Sequence, residues 1–464
     1  MRLVLVIQWL IVFAVCASAQ TINDPSTQNL PSAPTVQGQP GVQLPTQHSA
    51  PNQATPPGSA QGLSLKDAEA IALKNNPQIS VGRLLALASQ QVTREVRSNL
   101  WPTANADLTG VDAHDNSRIT AGGLNNPIIY ERAAGGVTVS QLITDFGRTT
   151  NLVASANLAA KAEAQNAIAT KEQVLLAVNQ AFYGVLQTHA VLRVAEETVK
   201  DRQLLADQVG ALAANKLKSQ LDLSFANVNL AQAKLLLLDA QNNDKAAQAS
   251  LSAVLGYSTL QEFVLADDTD RMDAPPSDVD TLIAEAFAKR PEIQALDYEY
   301  QSSQKLKTAE RDLLFPTLRA VGAVGGAPVR NDHLSSWYGA VGANMDIPIF
   351  NGFLYTARAH EADLRSQAAR ERLVDLRNRI SRDVRTSWLN ATSAYQRLSV
   401  TQQLVQQAQL ALDLAQSRYQ LGLGSIVELS QAQLQATQAE ISNAQAGYDY
   451  RQATAALRYQ TSGL

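Results

Sequence analysis

Polar Thr103, Asn105, Asp107 and Thr109 alternate with Ala104, Ala106, Leu108 and Gly110. A period of two marks a strand with one polar face. A polar stretch from His114 to about Arg132 reads as a loop, after which Val137-Thr138-Val139-Ser140 alternates again. Later, Trp337, Val341, Ala343, Met345 and Ile347 alternate with Tyr338, Asn344 and Asp346. The pattern predicts two hairpins, with strands over about 103–112 and 133–143, then about 317–326 and 337–347. Strands of roughly ten residues cross a bilayer when tilted. Trp101, Phe315, Trp337 and Phe350 stand at the strand ends, where interfacial aromatic belts belong.

Elsewhere the period is helical. From Gly147 to about Leu212, and from Gly352 to about Leu421, it runs on without a proline. At 1.5 Å per residue these are rods on the order of 100 Å. Each is followed by a turn and a returning helix. In the first, Leu223, Ala226, Leu230, Ala233, Leu237, Ala240, Asp244, Ala247, Leu251 and Val254 step by threes and fours, as in a coiled-coil seam. Leu429, Ala432, Ala436, Ala439, Asn443, Ala446, Tyr450, Ala453 and Leu457 repeat the seam.

The chain is therefore duplicated. Asn76-Pro77-Gln78-Ile79 returns as Arg290-Pro291-Glu292-Ile293, and Leu100-Trp101-Pro102 as Leu314-Phe315-Pro316. Ser64-x-x-Asp67 and Ser277-x-x-Asp280 read as the caps that open a helix in each copy, running on towards the second proline. Asp145-Phe146-Gly147 and Phe350-Asn351-Gly352 close the hairpins. The division that results is a first repeat over 63–276 and a second over 277–464.

The N-terminal end differs. Arg2, the apolar run Leu10–Val15 and Ala17-Ser18-Ala19 describe a secretory signal peptide over residues 1–19. Cleavage after Ala19 removes Cys16; lipid attachment at Cys16 is the rival reading, with branched Val15 a poor fit beside it. Residues 20–62 are rich in Pro, Gln, Ser and Thr and read as a disordered tether. Beyond residue 20 no apolar run reaches the length of a membrane-spanning helix, so any crossing is by strands.

Composition narrows the function. The 38 basic and 42 acidic residues argue against a nucleic-acid coat. The single cysteine excludes a disulfide framework, and His48, His114, His189, His333 and His360 never recur at metal-ligand spacing. Catalytic triads and phosphate-binding loops are missing, and no cofactor is expected. Aromatic residues make up 5% against 45% hydrophobic, so Ala, Leu and Val fill thin helical cores. Four strands cannot close a barrel, and an open edge is not tolerated in lipid, so several chains must contribute. Eight strands fill with side chains, whereas twelve, from three chains, leave a passage.

The duplicated hairpin and long helix, the Asn-Pro and Trp-Pro landmarks and the stretch Tyr419-Gln420-Leu421-Gly422-Leu423-Gly424-Ser425-Ile426-Val427-Glu428-Leu429 resemble the TolC family of outer-membrane efflux proteins. The resemblance covers residue 63 to the C-terminus. It implies a mainly α chain with a membrane β-barrel portion: a homotrimer with a twelve-stranded barrel in outer-membrane lipid and a periplasmic α-barrel. Such a channel is passive, fed through a periplasmic adaptor by an inner-membrane pump or ATP-driven transporter, and carries small molecules or proteins. By resemblance, Asp222 and Glu428 hold acidic positions at the periplasmic aperture, with Tyr419 as a hydrogen-bonding neighbour. The sequence departs from the family pattern at Gln431, in place of a second acid, and at Gly424, in place of a basic residue. Lys216 or Lys218 is then the candidate source of positive charge. The turns, including Leu421, Gly422, Leu423, Gly424 and Ser425 with Lys216 and Lys218, are the expected adaptor contact, since leucines exposed on a tip have little use in a solitary domain. The rival class is a trimeric coiled-coil adhesin or envelope scaffold, for which a second hairpin has no purpose.

Overall fold

Two prolines divide what periodicity alone reads as one helix in each repeat. Helix α1 spans Leu65–Asn75 and α2 Pro77–Ser98; in the second repeat α5 spans Val279–Lys289 and α6 Pro291–Arg311. Proline lacks the N–H that would continue the ladder and drives its predecessor to extended backbone. Asn76 (ψ 123°) and Arg290 (ψ 126°) both obey. Asn76 then caps the new helix, its Oδ1 accepting from the Gln78 N–H at 2.9 Å, while its Nδ2 donates to the Val254 carbonyl at 2.8 Å.

The structure is a computed structural model describing residues 62–461 except 112–117, 122–123, 129–131, 268–271 and 327–334. The expected signal peptide, all but the end of the proline-rich segment, and His48, His114 and His333 lie outside the described residues. Ser64 caps α1 as expected, its Oγ accepting from the Asp67 N–H at 3.3 Å. In the second repeat the cap is Asp278 and not Ser277: its carboxylate accepts from the Asp280 N–H at 3.1 Å. Asp278 stands at the same distance before Pro291 as Ser64 before Pro77.

The strands are β1 (Thr103–Val111), β2 (Arg118–Ala121), β3 (Leu124–Ile128), β4 (Arg132–Thr144), β5 (Thr317–Gly326) and β6 (Trp337–Asp346). Within the stretch expected to be loop, β2 and β3 form a small two-stranded sheet of their own. The other four make one antiparallel sheet in the order β1-β4-β5-β6. Its register sorts the side chains. The rows Ala106–Val137–Val324–Gly339 and Ala104–Val139–Gly322–Val341 lie on one face. The rows Asn105–Thr138–Ala323–Ala340, Asp107–Gly136–Gly325–Tyr338 and Leu142–Arg319–Asn344 lie on the other. One face is thus nearly all apolar, Gln141 at the root being the exception, where its Nε2 donates to the Leu100 and Leu142 carbonyls. The charged groups of these four strands, and most of the other polar ones, lie on the opposite face.

Each hairpin turns directly into a long helix. Helix α3 (Arg148–Ala214) and α7 (Leu354–Gln420) have 67 residues each, and return as α4 (Gln220–Val254) and α8 (Ile426–Thr461). Asp145 starts α3, its carboxylate accepting from the Thr149 N–H at 2.7 Å. Ala226, Leu230, Ala233, Ala240, Asp244 and Leu251 of the first seam are buried, as are Leu429, Ala432, Ala436, Ala439, Ala446, Tyr450 and Leu457 of the second. Asn443 departs from the expected seam: it is exposed, its amide oxygen accepting from Thr401 Oγ1 at 3.3 Å. An Asn is less costly in water than unpaired between helices.

The two repeats brace their returning helices alike. Where Asn76 holds Val254, Arg290 donates to Gln460 Oε1 at 2.6 Å and pairs through Nη2 with Glu292 at 2.8 Å. Glu172 of α3 joins this cluster. Its carboxyl is held above the ordinary range by burial and then by the Glu292 charge, against Arg290 and Lys171. A raised carboxyl stabilises the fold in its protonated form, so that contribution is present in acid and is lost as pH rises through the raised value. Glu172→Gln should therefore raise the melting temperature at pH 7 and change nothing near pH 4 or below. Equal melting at both pH values would show that the carboxylate is unstrained.

Candidate functional site

The two interhelical turns meet at one end of the helical hairpins. Val209 of α3, Ala226 and Leu230 of α4, Ala415 and Tyr419 of α7, and Ile426 and Leu429 of α8 form one apolar cluster there. Burying small and medium side chains at the end of a long rod pins both turns to each other.

The turns are built on one plan. In each, the first residue past the C-cap is left-handed, Lys216 at φ +58° and Gly422 at φ +74°. The next N–H then reaches back over the helix end, Leu217 to the Leu212 carbonyl at 2.9 Å and Leu423 to the Arg418 carbonyl at 2.8 Å. This arrangement satisfies carbonyls the helix leaves free. Glycine adopts that φ without strain, whereas lysine does so at a cost of roughly 1–2 kcal/mol. Ser219 and Ser425 follow as N-caps, accepting from the Asp222 and Glu428 N–H groups, each at 3.1 Å.

Tyr419 is the centre of the site, 5% exposed. Lys218 lies over its ring, Nζ at 3.9 Å from the centroid, and also donates to its backbone carbonyl at 3.4 Å. One ammonium thus ties the α3–α4 turn to the last turn of α7. The Tyr419 Oη is buried and has no hydrogen-bond partner among the described residues, whereas its ring and carbonyl both meet Lys218. Burial, then the Asp222 charge, pushes its phenol above the ordinary tyrosine range.

The two expected acids have different surroundings. Asp222 completes a capping box on α4, accepting from Ser219 N–H at 3.1 Å and from Ser219 Oγ at 2.9 Å. Glu428 faces Arg418 across the turn, Nε to Oε1 at 3.3 Å, and Arg418 also donates to the Leu423 carbonyl at 3.4 Å. Among the described residues no hydrogen bond or ion pair joins Asp222 to Glu428. Gln431 is exposed on α8, one turn beyond Glu428. Lys216 is exposed, while Lys218 is the lysine drawn into the site. Gly424 leaves room for the Arg418–Glu428 pair: a Cβ there would stand 3.2 Å from Arg418 Cβ and 3.2 Å from Glu428 Oε2.

Sequence reasoning missed Arg418, although it lies one residue before Tyr419. It also missed that Lys218 occupies in the first turn the place of Gly424 in the second, a correspondence available from the repeat itself. At the tip, Leu421 and Leu423 are joined by Leu217 and Leu221, all exposed and between 64% and 74% accessible. Among the described residues no group of three or more His, Cys, Asp or Glu is placed to hold a metal, and no helix is long and apolar enough to cross a membrane.

One apolar and one polar face is the pattern of strands that stand between lipid and a wet lumen. The family model for the outer membrane efflux protein matches residues 70–257 and again 282–462, and the chain belongs to that family. Among curated relatives, the cation efflux system protein CusC of Escherichia coli K12 is 23% identical over 391 residues, covering 78% of each chain. The fusaric acid resistance protein FusA of Burkholderia cepacia is 24% identical over 271 residues, 57% of this chain and 51% of its own length, so that match spans about half of the relative. A crystal structure of CusC superposes with a TM-score of 0.75 at 19% identity, covering 86% of this chain and 92% of that one. The Campylobacter jejuni CmeC outer membrane channel gives 0.76 at 16% identity, covering 86% and 85%. The protein is an outer-membrane efflux channel component whose helices extend into the periplasm.

Proposed function

We propose that three copies of this chain close a twelve-stranded barrel in the outer membrane and a helical tunnel beneath it. The assembly is the passive exit duct of a tripartite efflux or type I secretion system. The observation that carries this reading is the division of the sheet into an apolar and a polar face, with both edges, β1 and β6, unpaired among the described residues. Lipid supplies no partner for an open edge, at several kcal/mol per unsatisfied group, so the edges must meet those of other copies. Twelve strands leave a bore that eight would not.

In this reading residues 1–19 direct export and 20–62 tether, while 63–276 and 277–464 are the two efflux repeats. Lys218, Tyr419 and Asp222, together with Glu428 and its partner Arg418, close the periplasmic end, with Gln431 one turn above. The exposed Leu217, Leu221, Leu421 and Leu423, with Gly422, Gly424, Ser425 and Lys216 shaping the tip, receive a periplasmic adaptor protein. Energy comes from an inner-membrane pump or ATP-driven transporter, and cargo choice lies there. In planar bilayers the purified protein should insert and conduct in small discrete steps, which grow when Asp222→Asn and Glu428→Gln are combined. No conductance before or after that double substitution would overturn the channel.

A further inference from the structure

The polar face of the sheet carries one large aromatic residue, and the backbone beneath it has been cleared to receive it. Tyr338 pairs with Gly325 of β5, which pairs with Gly136 of β4. Its ring lies flat across both strands. A Cβ on Gly325 would stand 2.6 Å from the Tyr338 Oη and 2.7 Å from its Cζ; one on Gly136 would stand 2.5 Å from the Oη. Real Cβ atoms do not approach so closely, so any side chain at either position lifts the ring off the wall. Neither glycine has a left-handed φ, since the positive-φ glycines are elsewhere. Close approach, of the ring at both positions and also of the Gly135 carbonyl at Gly325, and not backbone conformation, accounts for them.

The row also fixes where this happens. Asp107–Gly136–Gly325–Tyr338 lies at the end of the sheet away from the long helices, next to the strand tips at Gly326 and Trp337. We propose that Tyr338 sets the free cross-section of the outer mouth of the barrel, and that Gly136 and Gly325 hold the mouth open by letting the phenol lie flat. This rests on the polar face lining the bore. Around a three-fold axis, three lifted rings would converge on the passage, and pore-lining groups of that size govern which solutes pass. The residue is thus a size-selecting element for cargo leaving the barrel, separate from the aperture at the helix turns.

Gly136→Ala is the cleaner probe, because its new Cβ meets chiefly the Tyr338 Oη, whereas one on Gly325 also meets the Gly135 carbonyl at 2.6 Å. A reporter cysteine, Asn344→Cys, stands on the polar face nearer the helices. Cells expressing the full chain, with Cys16→Ala to leave no other cysteine, are treated from outside with maleimide-polyethylene glycols of graded size. Gly136→Ala should slow labelling by the larger polymers about threefold or more while leaving the smallest unaffected. Gly136→Ala/Tyr338→Phe, which lacks the clashing oxygen, should restore the parent rates, as should Gly136→Ala/Tyr338→Ala. Parent-like labelling of Gly136→Ala at every polymer size overturns the proposal. If Gly136→Ala fails to assemble, Tyr338→Ala alone decides, since it should admit polymers one size class larger, and an unchanged cut-off overturns the proposal. Failure of even the smallest maleimide to reach Asn344→Cys in the parent would instead overturn the polar face as the bore.

Discussion

Arg290→Ala should cost about 3–5 kcal/mol of stability, read as an earlier unfolding midpoint of the purified protein in denaturant. The side chain is 8% exposed and its partner Glu292 21%. Two nitrogens fork onto the carboxylate, Nε at 3.2 Å and Nη2 at 2.8 Å, and the third reaches Gln460 at 2.6 Å. The guanidinium also lies 5.2 Å from the centre of the Tyr459 ring. Burial alone would make the cation easier to discharge, yet the hydrogen bond and charge of Glu292 more than offset this and hold it above the ordinary arginine value. Removing Arg290 leaves Glu292 beside Glu172, two carboxylates with no buried cation between them. That is the costly way to break a buried pair, since an uncompensated charge remains. Arg290→Ala/Glu292→Met should recover much of the loss. Arg290→Asn should lose about 1 kcal/mol less than Arg290→Ala, because asparagine can cap α6 as Asn76 caps α2. A cost of Arg290→Ala below about 1 kcal/mol would place the pair among solvated surface ion pairs.

The same position shows how far the sequence carried. Pro77 and Pro291 mark homologous points, and the period of two and the proline-free runs locate the sheet and the rods, because each rests on local backbone physics. Ser277 was the natural cap by residue type, yet the spacing that takes Pro77 to Pro291 takes Ser64 to Asp278. The repeat was the better guide than the motif. Asn443 fitted the heptad spacing but turned outward, since periodicity says nothing of what a polar side chain will accept as a neighbour. The hairpin of β2 and β3 was hidden by polar composition, which marks loops and short exposed strands alike. At the site, Asp222, Glu428, Tyr419 and Lys218 were visible as residue types, but their pairing was not. Arg418 meets Glu428 only because a five-residue turn folds one helix end onto the next, and Lys218 meets Tyr419 only because the two repeats pack turn to turn. Contacts of that kind depend on tertiary closeness that a one-dimensional pattern does not contain.

That turn-to-turn contact sets the second large effect. Lys218→Met should raise the open-to-closed ratio of the reconstituted channel by roughly one to two orders of magnitude, seen as larger and longer conductance steps. An ammonium over an aromatic face is worth about 0.5–2 kcal/mol, at the upper end when desolvated. Nζ of Lys218 sits 3.9 Å from the Tyr419 centroid on a residue that is almost wholly buried. If the proposed three-fold assembly opens as one unit, three such ties would release together, which would turn a modest pairwise energy into a large population shift. Controls separate the ring from the hydroxyl. Tyr419→Phe keeps the face and removes only the Oη, which finds no partner among the described residues, so the channel should stay closed and the fold should gain, an unsatisfied buried group costing about 1–3 kcal/mol. Tyr419→Leu removes the face but keeps the backbone carbonyl that Lys218 also reaches, so it should open the channel less than Lys218→Met, and the two together no further than Lys218→Met alone. Lys216→Met, at an exposed position two residues away, should change nothing. Glu428→Gln removes the charge that Arg418 faces on the other turn, so its effect should add to that of Lys218→Met. Conductance of Lys218→Met equal to that of the unaltered protein, with Glu428→Gln still active, would move the gate from the cation over Tyr419 to the Arg418–Glu428 pair.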